Sequence, residues 1–596
     1  MAKAKRVLCV CAGAAFLGLC QSFFASCSDF LDKEPSNELT GAQTFSDWAT
    51  MEQFHFDTYN FLRNGQCRIA NSWLDAATDL AETSYSGGGT RVSFNIGNYY
   101  SSAAAGELTA PWEHYYRGIR KCNMMLDRID VVPKSADLSE EDYQKKLNYY
   151  KGEAHALRAW FYWELFLRYG PVPMVTRVLD PDGDLLSDYK VRPSVRDFVI
   201  DFIMKDLAAA DTLCMEKSES EATGNQGRIS KPVVKALESR IMLFMASPRF
   251  AAESGVTWQQ AADTAKVFID TYGNDYSLYD GGIDPIENYT KAILLNAYDE
   301  GNPETIFYRN DGTQSWGSYG YYNDAPVGYG GNGGLCPSQN LVDMYDMATG
   351  QAPFAAYDET GAPVFAGGGI APAAADINAS TYYNDAHPTV DRDPRLSATV
   401  LFHGASWAGS TINVVRGQKD NPVGNANATP TGYYLRKYMP EIILQNEHSG
   451  SSSRDWIIIR YAEILLNYAE ALNEVDYSSN RAMIRTLLDR VRHRGGISGN
   501  VSSRTDINSQ ATMRNFIRKE RTIELAMEEH RWWDVRRWNV AEKALGRDII
   551  GVDVATNGTY TRKVAQQRKF ETRMYLYPIP EAEYWKSGIA NNEGWN

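Results

Sequence analysis

Residues 145–173 read KKLNYYKGEAHALRAWFYWELFLRYGPVP. No proline interrupts the run until Gly170-Pro171, which can neither extend a helix nor satisfy its ladder, so the spacing predicts a helix over Lys145 to Tyr169. Gly152, Ala154, Ala156 and Ala159 stand ahead of the bulky Trp160-Phe161-Tyr162-Trp163. Small residues on a helix face let a second helix approach closely. The stretch therefore reads as one member of a packed helical array.

Working outward, the same character recurs. Trp112 to Ile129 places Trp112, Tyr115, Tyr116, Ile119, Met125, Leu126 and Ile129 at spacings of three and four. Ser194 to Leu213 follows, then Pro232 to Ala246 with Ser230 as its cap and proline in the first turn. Trp258 to Tyr272 carries Ala261, Ala262 and Ala265. Toward the other end, Trp456 to Val475, Arg481 to Arg494 and Met513 to Trp533 have helical spacing. Helix after helix with small contact residues predicts a mainly α fold, a degenerate tetratricopeptide-like (TPR-like) stack. Between the two helical parts lies an irregular, loop-rich stretch with short strands. Trp112, Trp160, Trp163, Trp532 and Trp533 fall on helical faces and are assigned to the core. Glu520, Glu524, Arg521, Arg531 and Asp534 are read as an internal ion-pair network.

The N-terminus speaks to the compartment. Lys3, Lys5 and Arg6 precede an apolar stretch from Val7 to Phe24, and Phe24-Ala25-Ser26-Cys27 puts small residues before a cysteine. That is a signal peptide with a processing site, too short and polar for a spanning helix. Apolar-small-small-Cys resembles the lipobox of bacterial lipoproteins, which implies acylation of Cys27. Asp29, Asp32 and Glu34 resemble an acidic surface-export signal. The expected organisation is 1–26 signal peptide, 27–45 lipidated tether, 46–272 N-terminal helical part, 273–452 loop-rich insertion and 453–596 C-terminal helical part, with 27–596 forming one unit.

Cleavage before Cys27 removes three cations and no acids, taking the formal net charge from −14 to −17. Such a chain is a poor partner for nucleic acid and repels polyanions, so neutral ligands suit it better. Cys67, Cys122, Cys214 and Cys336 show no CxxC pairing, which signals neither zinc nor a dithiol site. One or two disulfides and scattered buried thiols remain equal alternatives. Asp180, Asp182, Asp184 and Asp188 form an acidic turn, read as solvated because the spacing departs from a calcium loop. No cofactor is called for. Gly328 to Gly333 formally fits G-x-G-x-x-G, but no apolar strand precedes it.

Several segments together resemble the SusD/RagB family. They are Asn148 to Tyr162 with Tyr169-Gly170-Pro171-Val172-Pro173, Gly227 to Lys231, Pro337 to Asp343, Asp391 to Leu396, Thr431 to Lys437, Arg460 to Ala471, Arg518 to Ala526, His530 to Trp538, Tyr577 to Pro580 and Asn592 to Trp595. Glu593 stands where the family more often has proline. The resemblance spans the mature chain and implies a SusD-like fold: four TPR-like units carrying a loop-rich ligand-binding part. It also implies a surface lipoprotein of the outer membrane that captures glycans without cleaving them and passes them to a SusC-like TonB-dependent transporter. Capture of peptides or another nutrient is the alternative within the family, and a surface glycosidase is the alternative outside it. Carboxylate pairs for the latter have no separation that a sequence can supply.

Sugar recognition needs flat aromatic faces and polar groups around them. Trp316, Tyr319, Tyr321, Tyr322 and Tyr329 sit among Gly312, Gly317, Gly320, Gly328 and Gly330, with Asn323 and Asp324 between them. Rigid aromatics on a flexible polar backbone make this the first candidate ligand surface; packing of the same rings back onto the scaffold is the competing reading. Asn71, Trp73 and Tyr85 form a second candidate, with core packing an equal alternative for Trp73, and Trp407 beside Gly404 and Gly409 is the third.

Overall fold

The computed structural model describes residues 41–65, 72–84, 90–100, 106–179, 190–282, 284–295, 297, 301–444 and 448–595. Cys27, Asn71, Tyr85, Cys67 and the acidic turn at 180–188 lie outside these residues.

The fold is mainly α. Its helices include α1 (Trp48–Thr58), α2 (Ala110–Arg128), α3 (Glu140–Tyr169), α4 (Met204–Leu213, continuing the π-helical Arg196–Ile203), α5 (Lys231–Ala246), α6 (Trp258–Tyr272), α7 (Pro285–Leu294), α8 (Tyr319–Asp324), α9 (Tyr461–Arg494), α10 (Gln510–Glu524) and α11 (His530–Arg537). The stretch 145–173 lies in α3, which starts five residues earlier than its apolar pattern. Ser139 accepts a hydrogen bond from the Asp142 amide, and Glu140, Glu141 and Asp142 fill the first turn, where they complement the helix dipole. Gly170 closes the helix at φ +71, a conformation that glycine adopts without strain.

Helices pack in chain order: α2 on α3, α3 on α4, α4 on α5, α5 on α6. The array then skips 188 residues and resumes as α6 on α9 and α9 on α10. Two glycines set the close approaches. A Cβ on Gly118 would lie 2.8 Å from the Phe161 ring, and one on Gly152 would lie 2.8 Å from Cys214 Sγ. Trp112, Trp160, Trp163 and Trp532 are buried, and Trp533 is half-buried against Tyr577. Cys122, Cys214 and Cys336 are free, buried thiols; burial pushes the Cys336 thiol up to about 12.

Two sequence expectations change. Trp456 to Arg460 is strand, not helix: Ser451–Arg460 (β8) pairs antiparallel with Thr305–Ser315 (β2), Thr305 opposite Arg460 and Ser315 opposite Ser451. A run of apolar residues buried on both faces has no periodicity to separate strand from helix. The second is Met513 to Trp533, which breaks between α10 and α11. Met527 and Glu529 adopt left-handed backbone (φ +62 and +63) and turn the chain. The long helix α9 also kinks, at Asp476 (φ −167, ψ 100), near the break expected between Val475 and Arg481.

The other strands are Ala81–Glu82 (β1), Cys336–Pro337 (β3), Val400–Leu401 (β4), Ser406–Trp407 (β5), Ser410–Thr411 (β6), Tyr434–Leu435 (β7), Ile549–Val554 (β9) and Tyr560–Gln566 (β10). They form two-stranded antiparallel pairs: β1 with β3, β4 with β7, β5 with β6, and β9 with β10. No parallel sheet occurs among the described residues, so the Gly328–Gly333 run has no dinucleotide-binding context.

The expected ion-pair network is present and fully buried. Glu524 meets Arg395 at 2.8 Å, Arg460 at 2.7 Å and also Arg494; Glu520 meets Arg395 at 2.7 Å and Arg492 at 2.9 Å. Arg521 pairs with Asp534 at 2.7 Å, and Arg531 reaches across 452 residues of sequence to Asp79 at 2.7 Å. Burial alone would raise the Glu524 carboxyl, but Arg494, Arg460 and Arg395 hold it well below the usual carboxylate range.

Candidate functional site

The β2–β8 ribbon ends at Ser315 and Ser451, and the chain beyond its tip is the glycine-rich segment. A tight turn follows, with the Ser318 amide donating to Ser315 O at 2.9 Å and the Ser315 amide donating to Ser318 Oγ at 3.0 Å. Helix α8 comes next and ends at Ala325-Pro326. The chain then folds back over it: the Asn332 amide donates to Tyr322 O (3.1 Å), Gly333 to Ala325 O (3.0 Å) and Gly334 to Asn323 O (2.7 Å). A Cβ on Gly331 would sit 2.2 Å from Ala325 O, and one on Gly334 would sit 2.2 Å from Asn323 Nδ2. Glycine is thus required for the close return, and the segment is a knotted, hydrogen-bonded unit.

That unit has two faces. On the inner face, Trp73 is buried, and its Nε1–H donates to Asp324 Oδ2 at 2.7 Å. Its ring packs 5.4 Å from both Trp456 and Tyr438. Asn323 is buried and donates to Asp324 Oδ1 at 3.0 Å; Tyr321 is buried with the Arg454 guanidinium 5.3 Å from its ring. Burial lifts the Asp324 carboxyl to about 7, against the opposing pull of Trp73 and Arg454. Burial likewise lifts Asp75, two residues from Trp73, to about 7. Trp407 is buried as well, with Tyr329 edge-on to it at 5.0 Å and donating its hydroxyl to Trp407 O at 3.0 Å.

The outer face holds the remaining aromatics. Trp316 is half-buried and stacks on His448 with ring centroids 4.3 Å apart and planes within 16°. Tyr322, 44% exposed, stands edge-on to Trp316 at 5.9 Å. Behind them Gly330 turns at φ +83, leaving room for the Trp316 ring. The returning chain is tied down at Asn332: Asn427 Nδ2 donates to its Oδ1 at 2.9 Å, and the Ser84 hydroxyl donates to its backbone oxygen. Clefts of about 450, 510 and 540 Å³ lie elsewhere on the described surface.

The structure therefore brings the three candidate regions together and divides them. Trp73, Tyr321, Asn323, Asp324 and Trp407, expected as ligand contacts, form the foundation; they are shielded because each fills the space beneath a backbone that must be held rigid. Trp316 and Tyr322 remain available to a ligand. Tyr319 opens α8, whose backbone is described while this side chain is not. Although Asn71 and Tyr85 lie outside the described residues, their neighbours Ser72 and Ser84 donate to Gly334 O (2.9 Å) and Asn332 O. His448 and Asn427 went unread in the sequence. His448 reaches Trp316 only through the β2–β8 pairing, and nothing local to residues 445–450 signals it.

A family profile described as "SusD family" matches residues 297–595, and one described as "Starch-binding associating with outer membrane" matches residues 29–243. SusD-like protein P25 of Formosa agariphila is 23% identical over 535 residues, covering 86% of this chain and 87% of that one. SusD-like protein P2 of the same organism is 33% identical over 168 residues, 27% of this chain and 30% of its own. A crystal structure of a SusD-like protein from Bacteroides fragilis superposes with a TM-score of 0.74 at 25% identity, covering 94% of this chain and all of that one. A laminarin-binding SusD-like protein shares the fold at TM-score 0.57 and 21% identity, covering 92% of this chain and all of that one.

Proposed function

This chain belongs to the SusD family, and from that premise we propose that it binds neutral oligo- or polysaccharide at the outer cell surface without cleaving it. The observation that carries the reading is the Trp316–His448–Tyr322 face on a rigid glycine-knotted base. A pyranose ring offers a flat array of C–H bonds to an indole, and polar groups around it meet the hydroxyls. The names of similar proteins, laminarin-binding and surface glycan-binding among them, support the same class. No helix among the described residues is long and apolar enough to cross a membrane. Attachment through an acylated Cys27 and delivery to a SusC-like TonB-dependent barrel complete the proposal.

Affinity for a few sugar units is expected in the micromolar to millimolar range, roughly −8 to −4 kcal/mol. The test is retardation in gels containing starch, laminarin or other neutral polysaccharides. Trp316→Ala should weaken binding about 10- to 100-fold, with helical content unchanged and no reducing ends released by either protein. Unchanged retardation by Trp316→Ala would remove this face from the site. For the anchor, mass spectrometry of the mature N-terminus should find acyl chains on Cys27, and Cys27→Ser should abolish membrane attachment.

A further inference from the structure

A second surface of the same ribbon has the composition of a ligand site. Between α1, the turn before α5 and the middle of β2 runs an open cleft of about 510 Å³, within the range of ligand pockets. Its wall is the Phe56 ring, 43% exposed, with the Arg228 guanidinium 5.2 Å away. Gly227 (φ +87) forms part of the floor, where a Cβ would press to 3.0 Å of the Tyr308 hydroxyl. Asn310 is fixed by donating to Asp455 Oδ1 at 2.8 Å and accepting from the Gly312 amide at 2.8 Å.

Beneath the cleft, the Arg228 guanidinium is committed within the protein: Nη1 donates to Asn225 at 2.8 Å, and Nη2 pairs with buried Glu153 at 2.6 Å. On its surface, the side chains of Asn310 and Thr313 are exposed. Glu153 in turn accepts from the Tyr59 hydroxyl at 2.7 Å and faces His55 Nε2 at 2.8 Å. Among the described residues that line the cleft, Arg228 alone carries charge, and Glu153 already balances it. An anion would add an unbalanced charge. A neutral ring with hydroxyls can lie on Phe56 and turn those hydroxyls to the exposed side chains of Asn310 and Thr313.

We infer that this cleft is a second saccharide site, separate from the Trp316 face and taking a neutral sugar of one or two rings; the sugar class rests on the function proposed above. Thr313, at the cleft's edge, stands three residues before Trp316, with only the end of β2 between them. One polymer held at both places gains effective concentration at the second after binding the first.

The test uses the full mature chain and panels of neutral polysaccharides (starch, laminarin, xylan, mannan, galactan) in affinity gels, then the disaccharide of whichever polymer is retained, in equilibrium dialysis. Phe56→Ala removes the wall, and Thr313→Trp, at an exposed position, fills the cleft without touching the core. Expected are two disaccharides per wild-type chain, one in Phe56→Ala and one in Thr313→Trp, with a threefold to tenfold loss of retention on the polymer in each. One disaccharide per wild-type chain, lost in Trp316→Ala and unchanged in both cleft variants, would overturn the second site and leave the glycan reading standing. Retention by none of the polysaccharides would bring down both. Unchanged thermal unfolding of the two variants separates these outcomes from misfolding.

Discussion

The charge-rich helices of the C-terminal part and the glycine-rich segment at 316–334 invert the usual association of charge with function and apolarity with structure. Arg395, Arg460 and Arg494 are buried around Glu524, with Asp393, Glu304 and Glu528 as further partners, so the charges of this region hold its elements in register. Trp316 and Tyr322, which the glycine-rich composition marks as candidate contacts, face outward from the base beneath them. A buried charge needs a partner wherever it sits, whereas an aromatic ring can be left in water at modest cost. The ligand contact proposed above therefore falls to groups that the scaffold can spare.

The largest effect should come from breaking the ionic side of this contrast. Glu524→Ala takes the shared carboxylate from Arg395, Arg460 and Arg494, which keep Asp393, Glu520, Glu304 and Glu528, and breaking a buried pair costs about 3–5 kcal/mol. Urea unfolding should show a loss of about that size. Glycan affinity measured on the fraction still folded should be near that of the parent, since no member of the network borders the Trp316 face. A stable Glu524→Ala variant would mean that the network is incidental.

Next in size, the two regions should respond oppositely to pH. Glu524 titrates below its ordinary 4.5 in the folded chain, so its contribution is present above that pH and is lost only on acidification. Asp324 titrates near 7 when folded against an ordinary 3.8. Between these values the unfolded chain has released the proton that the folded chain keeps, so stability falls as pH rises from about 4 to 7. The full swing has an upper bound of about 4 kcal/mol, taking about 1.36 kcal/mol per pKa unit. Asp324→Asn should remove this slope: the wild-type-minus-variant difference in unfolding free energy should decline by about 1 kcal/mol per pH unit over that window. A flat difference would place the Asp324 proton elsewhere.

The array and the insertion also differ in how far the sequence reveals them. Trp258 to Tyr272 was legible to the residue because Thr257 and Gln260 form a capping box and the apolar face is regular. The break at Leu525–Glu529 was not, since it contains neither glycine nor proline. Its left-handed residues are held by tertiary contacts such as the Glu529 amide donating to Asp75. In the site, composition singled out the 316–324 segment but could not tell its faces apart. What turns Asp324 inward is an indole 251 residues away, and what completes the platform is a histidine across a strand pair that the sequence reads as helix. Long-range pairing of this kind leaves no local trace.

The smallest expected effect bears on the outer face alone and asks which part of Tyr322 matters. Its ring stands edge-on to Trp316 at 5.9 Å, a geometry worth about 0.5–1.5 kcal/mol in aromatic pairs. If its role is to hold the indole upright for a sugar, Tyr322→Phe keeps the ring contact and should bind like wild type. Tyr322→Ala frees the indole and should weaken binding about 2- to 10-fold, less than Trp316→Ala does. Should the hydroxyl itself grip the ligand, Tyr322→Phe would lose as much as Tyr322→Ala, and the platform would be a polar contact surface with the indole as its backing. Titration of both variants with the same oligosaccharide decides between these, because burial beneath the face is untouched in either.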